Sequence, residues 1–281
     1  MEIEPAFAPS DRARQGDLIA RSRLEDRHPF DRFGVVVTAD CDMERARPEH
    51  QITFLRVVSV SEYVNHVWCR KKLSSLLTKL RNDTAGLLNR VSLAADPNRL
   101  PISSERLAEW LKASSPADVC AELGPIDQAD LNRLQDKLAR LSTALEIANI
   151  DDTKSALEAL IALRCQETNV EGGDALQAIM KQAKNELAGE NDELFFVSRL
   201  VSTEENDGYY VLLDNIGTIT RGHIFDYQSE ADAVLDGAHR FGRLEKTFKY
   251  AVVQRFAFLF QRIGLPDDRI DWHKDALQRL G

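Results

Sequence analysis

Apolar residues along the chain recur with two periods, and the period changes twice. Up to about residue 60 the apolar stretches are short. Gly16-Asp17-Leu18-Ile19-Ala20 reads as a turn entering a first strand. Val35–Thr38 is an unbroken apolar run, which predicts a strand buried on both faces. In Gln51–Val60, Ile52, Phe54, Arg56 and Val58 alternate with Thr53, Leu55, Val57 and Ser59, so a third strand carries apolar residues on each face. The polar Arg23–Phe33, with Pro29, predicts a loop, and the stretch through Pro5 and Pro9 to Gln15 a loose arm.

From about residue 61 the spacing turns helical. Leu73, Leu76, Leu77, Leu80, Leu87, Leu88 and Val91 form the stripe of an amphipathic helix over Val67–Leu93. Ser103-Ser104-Glu105-Arg106 begins a helix to about Lys112 with serine suited to cap it, and Ser115-Pro116-Ala117-Asp118 starts another, ended by Gly124-Pro125. Leu131, Leu134, Leu138, Leu141 and Leu145 repeat in three-four steps over Gln128–Ile147. That stripe predicts a helical hairpin with Thr153–Cys165, or alternatively a homodimer contact. A further helix is expected at Asp174–Leu187.

The period then shortens again. Glu193–Val201 and Gly208–Leu213 read as a hairpin across a polar turn, and Asn215–Ile219 as one more turn and short strand. Ala231–Leu235 predicts a short helix. Leu244–Ile263 predicts a long one ended by Gly264-Leu265-Pro266, and Asp267–Leu280 a final small helix. The resulting class is α+β: a small, partly open β-barrel, discontinuous in sequence, split by a helical insertion and covered by a C-terminal helix. The alternative is helices packed on one antiparallel sheet. Boundaries fall at 1–60 and 192–230 for the two barrel parts, 61–191 for the insertion and 231–281 for the C-terminal helices.

Composition narrows the functions. With 281 residues and a net charge of −9, the chain is repelled on average by nucleic acid and anionic membrane, so either partner needs a local basic patch. Arg240, Arg243, Lys246, Lys249 and Arg255 read as such a stripe, or as a solvated helix face. Cys41, Cys69, Cys120 and Cys165 are widely spaced, which suits a reducing cytosol. No signal peptide or membrane-spanning run is visible, and a soluble cytoplasmic protein is expected. The histidines are scattered and no phosphate-binding glycine motif or hydrolase elbow is present, so neither metal nor cofactor is expected.

Asp40-Cys41-Asp42 follows the second strand. It reads either as a paired-carboxylate site beside a thiol or as a strand-ending turn with aspartates on backbone amides and a buried cysteine. Two flanking carboxylates disfavour a thiolate, so the turn is the expected form.

Gly16-Asp17 opening a strand, Arg32 just ahead of Val35-Val36-Val37, and a third strand carrying Ser59 and Ser61 together resemble the MazF/PemK toxin family. That resemblance implies an SH3-like barrel which cleaves single-stranded RNA without metal, with Arg32 acting at the phosphate and Ser59 or Ser61 supplying the hydroxyl. The family's Arg-Pro pair is Arg32-Phe33 here. The stretch Arg243–Pro266 resembles the ends of bacterial proteins from mobile defence loci. Two functions are therefore expected from different classes. The first is a regulatory, protein-binding component of a bacterial toxin–antitoxin-like system, with exposed loops such as Ser202–Gly208 or Gly172–Asp174 open to proteolysis. The alternative is a metal-independent endoribonuclease. In the bland reading, Arg32 is a loop arginine paired with Asp31 or Asp40.

Overall fold

The structure, a computed structural model, describes residues 2–4, 12–23, 27–148, 155–189, 191–200 and 208–261. The chain forms two compact units, one drawn from its two ends up to Glu62 and from Glu190 onward, the other spanning Tyr63–Gly189. The helical unit thus starts and stops two residues inside the expected insertion.

Among the described residues, the first unit holds one sheet of eight strands: β1 (Ile3–Glu4), β2 (Asp17–Arg21), β3 (Phe33–Val36), β4 (Gln51–Ser59), β5 (Leu194–Val197), β6 (Tyr209–Thr220), β7 (Ile224–Phe225) and β8 (Ala238–Leu244). Their order is β1-β8-β2-β3-β4-β6-β5, with β7 paired parallel to β8 and every other pair antiparallel. The period of two in a strand sends neighbours to opposite faces, and both faces here are apolar. Val35 joins Leu18, Leu55, Val57, Val211 and Leu213 on one face, where Val252 of α10 (Lys246–Gln261) also packs. Val36 joins Ile19, Ile52, Phe54 and Ile219 on the other, with Met43 of α1 (Asp40–Arg45). The ring of Phe54 lies against Gly34 and Gly217 in the flanking strands, where any β-carbon would strike it.

The class is α+β, but the sheet does not close into the expected barrel. Its ladder ends at β1 and β5, which share no pairing. They meet through one side chain instead: the Ser198 N–H donates to a Glu2 carboxylate oxygen at 2.5 Å. β1 falls within the opening arm and β7 where no strand is expected, and two longer strands also depart from expectation. Asn215–Ile219 is the second half of the single long β6, bent by an irregularity between Val57–Val211 and Leu55–Ile216. Arg56 fills that bend, its Nη1 2.5 Å from Asn215 Oδ1 and its Nε 2.8 Å from Asp31 Oδ1.

The other departure is β8, a strand where the sequence pattern offered none. It lies between β1 and β2, and a buried ion network fastens it there. Asp17, with no exposed surface, accepts from Arg240 Nη1 at 3.2 Å, from Arg243 Nε at 2.5 Å and from the Arg14 N–H at 2.8 Å. Arg240 also donates from Nε to Asp226 at 2.9 Å. Arg240 and Arg243 are therefore sheet residues rather than part of a helical basic stripe, and only Lys246, Lys249 and Arg255 lie on α10.

The helical unit contains α3 (Cys69–Ala95), α4 (Ser104–Ala113), α5 (Pro116–Ala121), α6 (Gln128–Ala148), α7 (Ala156–Thr168) and α8 (Gly172–Leu187). A single π-helical turn, Val64–Trp68, leads into α3. Ser103 caps α4, and Ser115 and Ser155 form capping boxes with Asp118 and Glu158. Leu134, Leu138 and Leu141 are fully buried against Leu107, Leu88 and Val119, while Leu131 and Leu145 pack at the margin. The α6 stripe is therefore covered within the chain, by α3, α4, α5 and α7, so a homodimer seam along it has no exposed leucine at its centre. Trp68 Nε1 donates to Glu186 at 3.0 Å, and Lys72, 2.7 Å from the same carboxylate, lies over the indole. Gly172–Asp174, expected as a loop, is the first turn of α8. The Ser202–Asp207 turn and the Asp267–Leu280 helix lie outside the described residues.

Candidate functional site

Three residues named from sequence converge. Arg32 leaves a short 3-10 turn, Pro29–Asp31, immediately before β3. Ser59 is the last residue of β4, and Ser61 lies in the first turn of α2 (Val60–Tyr63). Arg32 and Ser59 meet at Glu62, with Ser61 beside Ser59. One carboxylate oxygen, Oε1, accepts from Arg32 Nη1 at 3.2 Å. The other, Oε2, accepts from the Ser59 hydroxyl at 2.8 Å and from the Ser59 backbone N–H at 3.1 Å. The Ser59 hydroxyl in turn accepts from the Glu62 N–H at 3.2 Å, and the Ser59 and Ser61 oxygens are 3.1 Å apart. The reciprocal Ser59–Glu62 bonds are a capping box that starts the helix where the strand ends.

Glu62 was not singled out from sequence, although the signature was there: Ser59-Val60-Ser61-Glu62 has the Ser-x-x-Glu spacing of a capping box. Arg32 does not pair with Asp31 or Asp40. Asp31 is taken by Arg56, and Asp40 accepts the Gln15 N–H at 2.7 Å and faces Lys249 Nζ at 3.7 Å.

Aromatic rings border the cluster. Tyr209, opposite Ser59 across the β4–β6 ladder, packs edge-on to Phe33 at 6.4 Å between ring centroids, and Phe33 edge-on to Phe241 at 5.9 Å. His239 follows at 6.3 Å from Phe241. Burial, and secondarily the Glu62 charge, push the Tyr209 phenol above its ordinary pKa. Burial pulls the His239 imidazole below its ordinary value, partly offset by Asp232.

One cation, one carboxylate and two hydroxyls make up the polar set. Metal-free RNA cleavage needs a base for the 2′-hydroxyl and a cation for the phosphorane charge, and Glu62 and Arg32 are those two chemical types. In the structure they neutralise each other. The Ser59 hydroxyl is committed both as donor and as acceptor. The arrangement ties the loop before β3 to the end of β4 and to the helix start.

The second cluster is different from the expected strand end. Asp40, Cys41 and Asp42 form the first turn of α1, where two carboxylates suit the positive end of a helix. Cys41 is exposed rather than buried, its Sγ 3.9 Å from Asp42 Oδ1. Among the described residues no group of three His, Cys, Asp or Glu side chains is placed to hold a metal ion, and no helix is long and apolar enough to cross a membrane. No family model, curated protein or solved structure matches the chain.

Proposed function

We propose that this chain is a regulatory, protein-binding component of a bacterial defence or stress system of the toxin–antitoxin kind, acting in the cytoplasm. Its sheet unit is toxin-like and SH3-like in descent, and its helical regions bind the partner. The observation that carries this reading is the engagement of Glu62 with both Arg32 and Ser59. The groups that the resemblance would make catalytic are used to hold a helix start. A supporting feature is the outer side of α10, where Tyr250 and Phe258 expose 52% and 58% of their surface two turns apart.

The second reading is a metal-independent endoribonuclease, favoured by the convergence of Arg32 and Ser59 on one carboxylate with the Ser61 hydroxyl beside Ser59. In it Glu62 takes the 2′-hydroxyl proton and Arg32 neutralises the phosphorane.

One pair of experiments separates the two. Mixed single-stranded RNA is incubated in EDTA with the wild type, Arg32→Ala and Glu62→Gln; the interaction reading expects no cleavage by any of them. Tagged protein recovered from its host is expected to carry one stoichiometric protein, lost in the Tyr250→Ser/Phe258→Ser variant. Wild-type cleavage that vanishes in both site variants would reverse the order of the two readings.

A further inference from the structure

The helical unit contains a cleft of about 490 Å³ between α3, α4 and α6. Its apolar wall is Leu77, Leu111 and Leu145, one residue from each helix. Arg81, one turn beyond Leu77 on α3, also lines it, and Ser142 of α6 is in the same wall. The chemistry of Arg81 is out of place for a purely structural residue. Its side chain is half-buried, and its Nε is shielded from solvent with no hydrogen-bond acceptor. No hydrogen bond or ion pair to it is present among the described residues. The nearby Glu105 carboxyl is held below the ordinary range chiefly by its own backbone N–H and the Ser103 and Ser104 hydroxyls, with Arg81 only the weakest contributor. Lys112 of α4, paired with Glu109 at 2.7 Å and mostly exposed, and Glu146 and Ala148 of α6 complete the lining.

A guanidinium always carries its charge, and shielding one of its N–H groups without an acceptor is unfavourable. Guanidinium also matches a carboxylate or phosphate in a two-pronged geometry that neutral ligands do not reproduce. Ligand sites are typically apolar concavities of this size with a few placed polar groups.

We propose, independently of the reading above, that this cleft binds a small amphiphilic anion, a carboxylate or phosphate head on Arg81 with an apolar tail along Leu77, Leu111 and Leu145. The two head groups share the chemistry, and the assay distinguishes them.

The test is isothermal titration of the full chain with decanoate, decyl phosphate, decanol and inorganic phosphate, with thermal unfolding alongside. At least one of the two anionic amphiphiles is expected to bind one-to-one and raise the melting temperature. Decanol and inorganic phosphate are expected to bind at least about tenfold more weakly. Arg81→Met is expected to leave the melting temperature of the free protein unchanged or higher, because it removes an unpartnered buried N–H. The same change should weaken the anion at least about tenfold. Leu145→Trp, which fills the cleft while leaving Arg81 in place, should abolish binding and serves if Arg81→Met does not fold. Decanol binding as tightly as the better of the two anions, undiminished binding by Arg81→Met or by Leu145→Trp, or no anion binding below about 1 mM would each overturn the proposal.

Discussion

Replacing Asp17 by Asn tests what fastens β8 into the sheet. The side chain is nearly isosteric and keeps an acceptor for the Arg14 N–H, so the change removes charge and little else. Asp17 faces Arg240 at 3.2 Å, which at an effective dielectric of 20 is a Coulomb attraction of about 5 kcal/mol, with Arg243 closer still. Desolvation opposes that gain, and removing one partner of a buried pair typically costs about 3–5 kcal/mol. Arg240 retains Asp226, which places the expectation at the lower end, about 3 kcal/mol. Asp17→Ala should cost about 1 kcal/mol more, since the Arg14 N–H also loses its acceptor. For a urea slope of about 2–3 kcal/mol per molar, Asp17→Asn should lower the midpoint by about 1–1.5 M. Amide hydrogen exchange locates the loss. Peptides covering β2 and β8 should exchange about a hundredfold faster, while those from α3 and α6 stay as in the wild type. A cost below about 1 kcal/mol, or acceleration spread equally over α3 and α6, would refute the role given to this network.

Four smaller outcomes follow from single positions. Burial lowers the folded-state pKa of His239 below its ordinary 6.5, so the unfolded chain binds the extra proton first as pH falls. The resulting stability is complete above 6.5 and is lost as pH drops from there toward the folded value; His239→Phe should flatten the urea-midpoint difference between about pH 7.5 and about pH 5.5. Cys41 is exposed and Cys69 is buried with its thiol pushed up to about 11, so native labelling at neutral pH should modify Cys41 quickly and reach Cys69 only after unfolding, as mass spectrometry of the peptides would show. A β-carbon on Gly237 would drive into the Ala231 carbonyl, and Gly237→Ala should cost about 1–3 kcal/mol in chemical denaturation. Gly86, inside α3 with open space around its would-be β-carbon, should accept Ala with a gain of about 0.5–1 kcal/mol, read from Trp68 and Trp110 fluorescence of the helical unit.

The strands and helices that a strict period marked are where the sequence placed them. Val35 and Val36 do enter opposite cores, Ser103 caps its helix as expected, and the helix expected from Ser115 starts there. What escaped is what a local period does not encode. In β8 every second residue is buried, yet two of the residues concerned are arginine or glycine, and Arg240 is buried between Asp226 and Asp17, the latter 223 residues away in the chain. No local pattern announces such a partner. Likewise β6 was divided at Asn215 because a polar pair, Asp214-Asn215, interrupts its apolar run; the interruption is a bend accommodated by Arg56 rather than an end. At the candidate site Arg32, Ser59 and Ser61 were legible as a set. The Glu62 carboxylate that joins Arg32 to Ser59 is not, because the Ser-x-x-Glu spacing marks a helix start and carries no sign of a partner at residue 32.

The place of β8 in the sheet has a consequence for synthesis on the ribosome. β2, β3 and β4 emerge early, apolar on both faces, while the strand that pairs with β2 is made roughly 180 residues after β4 is complete, a delay of about 10–40 s at ordinary elongation rates. The helical unit is contiguous in sequence, so it can fold during that interval. The nascent chain therefore carries one finished unit and three unprotected strands, and it is in that window, before Arg240 and Arg243 reach Asp17, that a chaperone has most to shield.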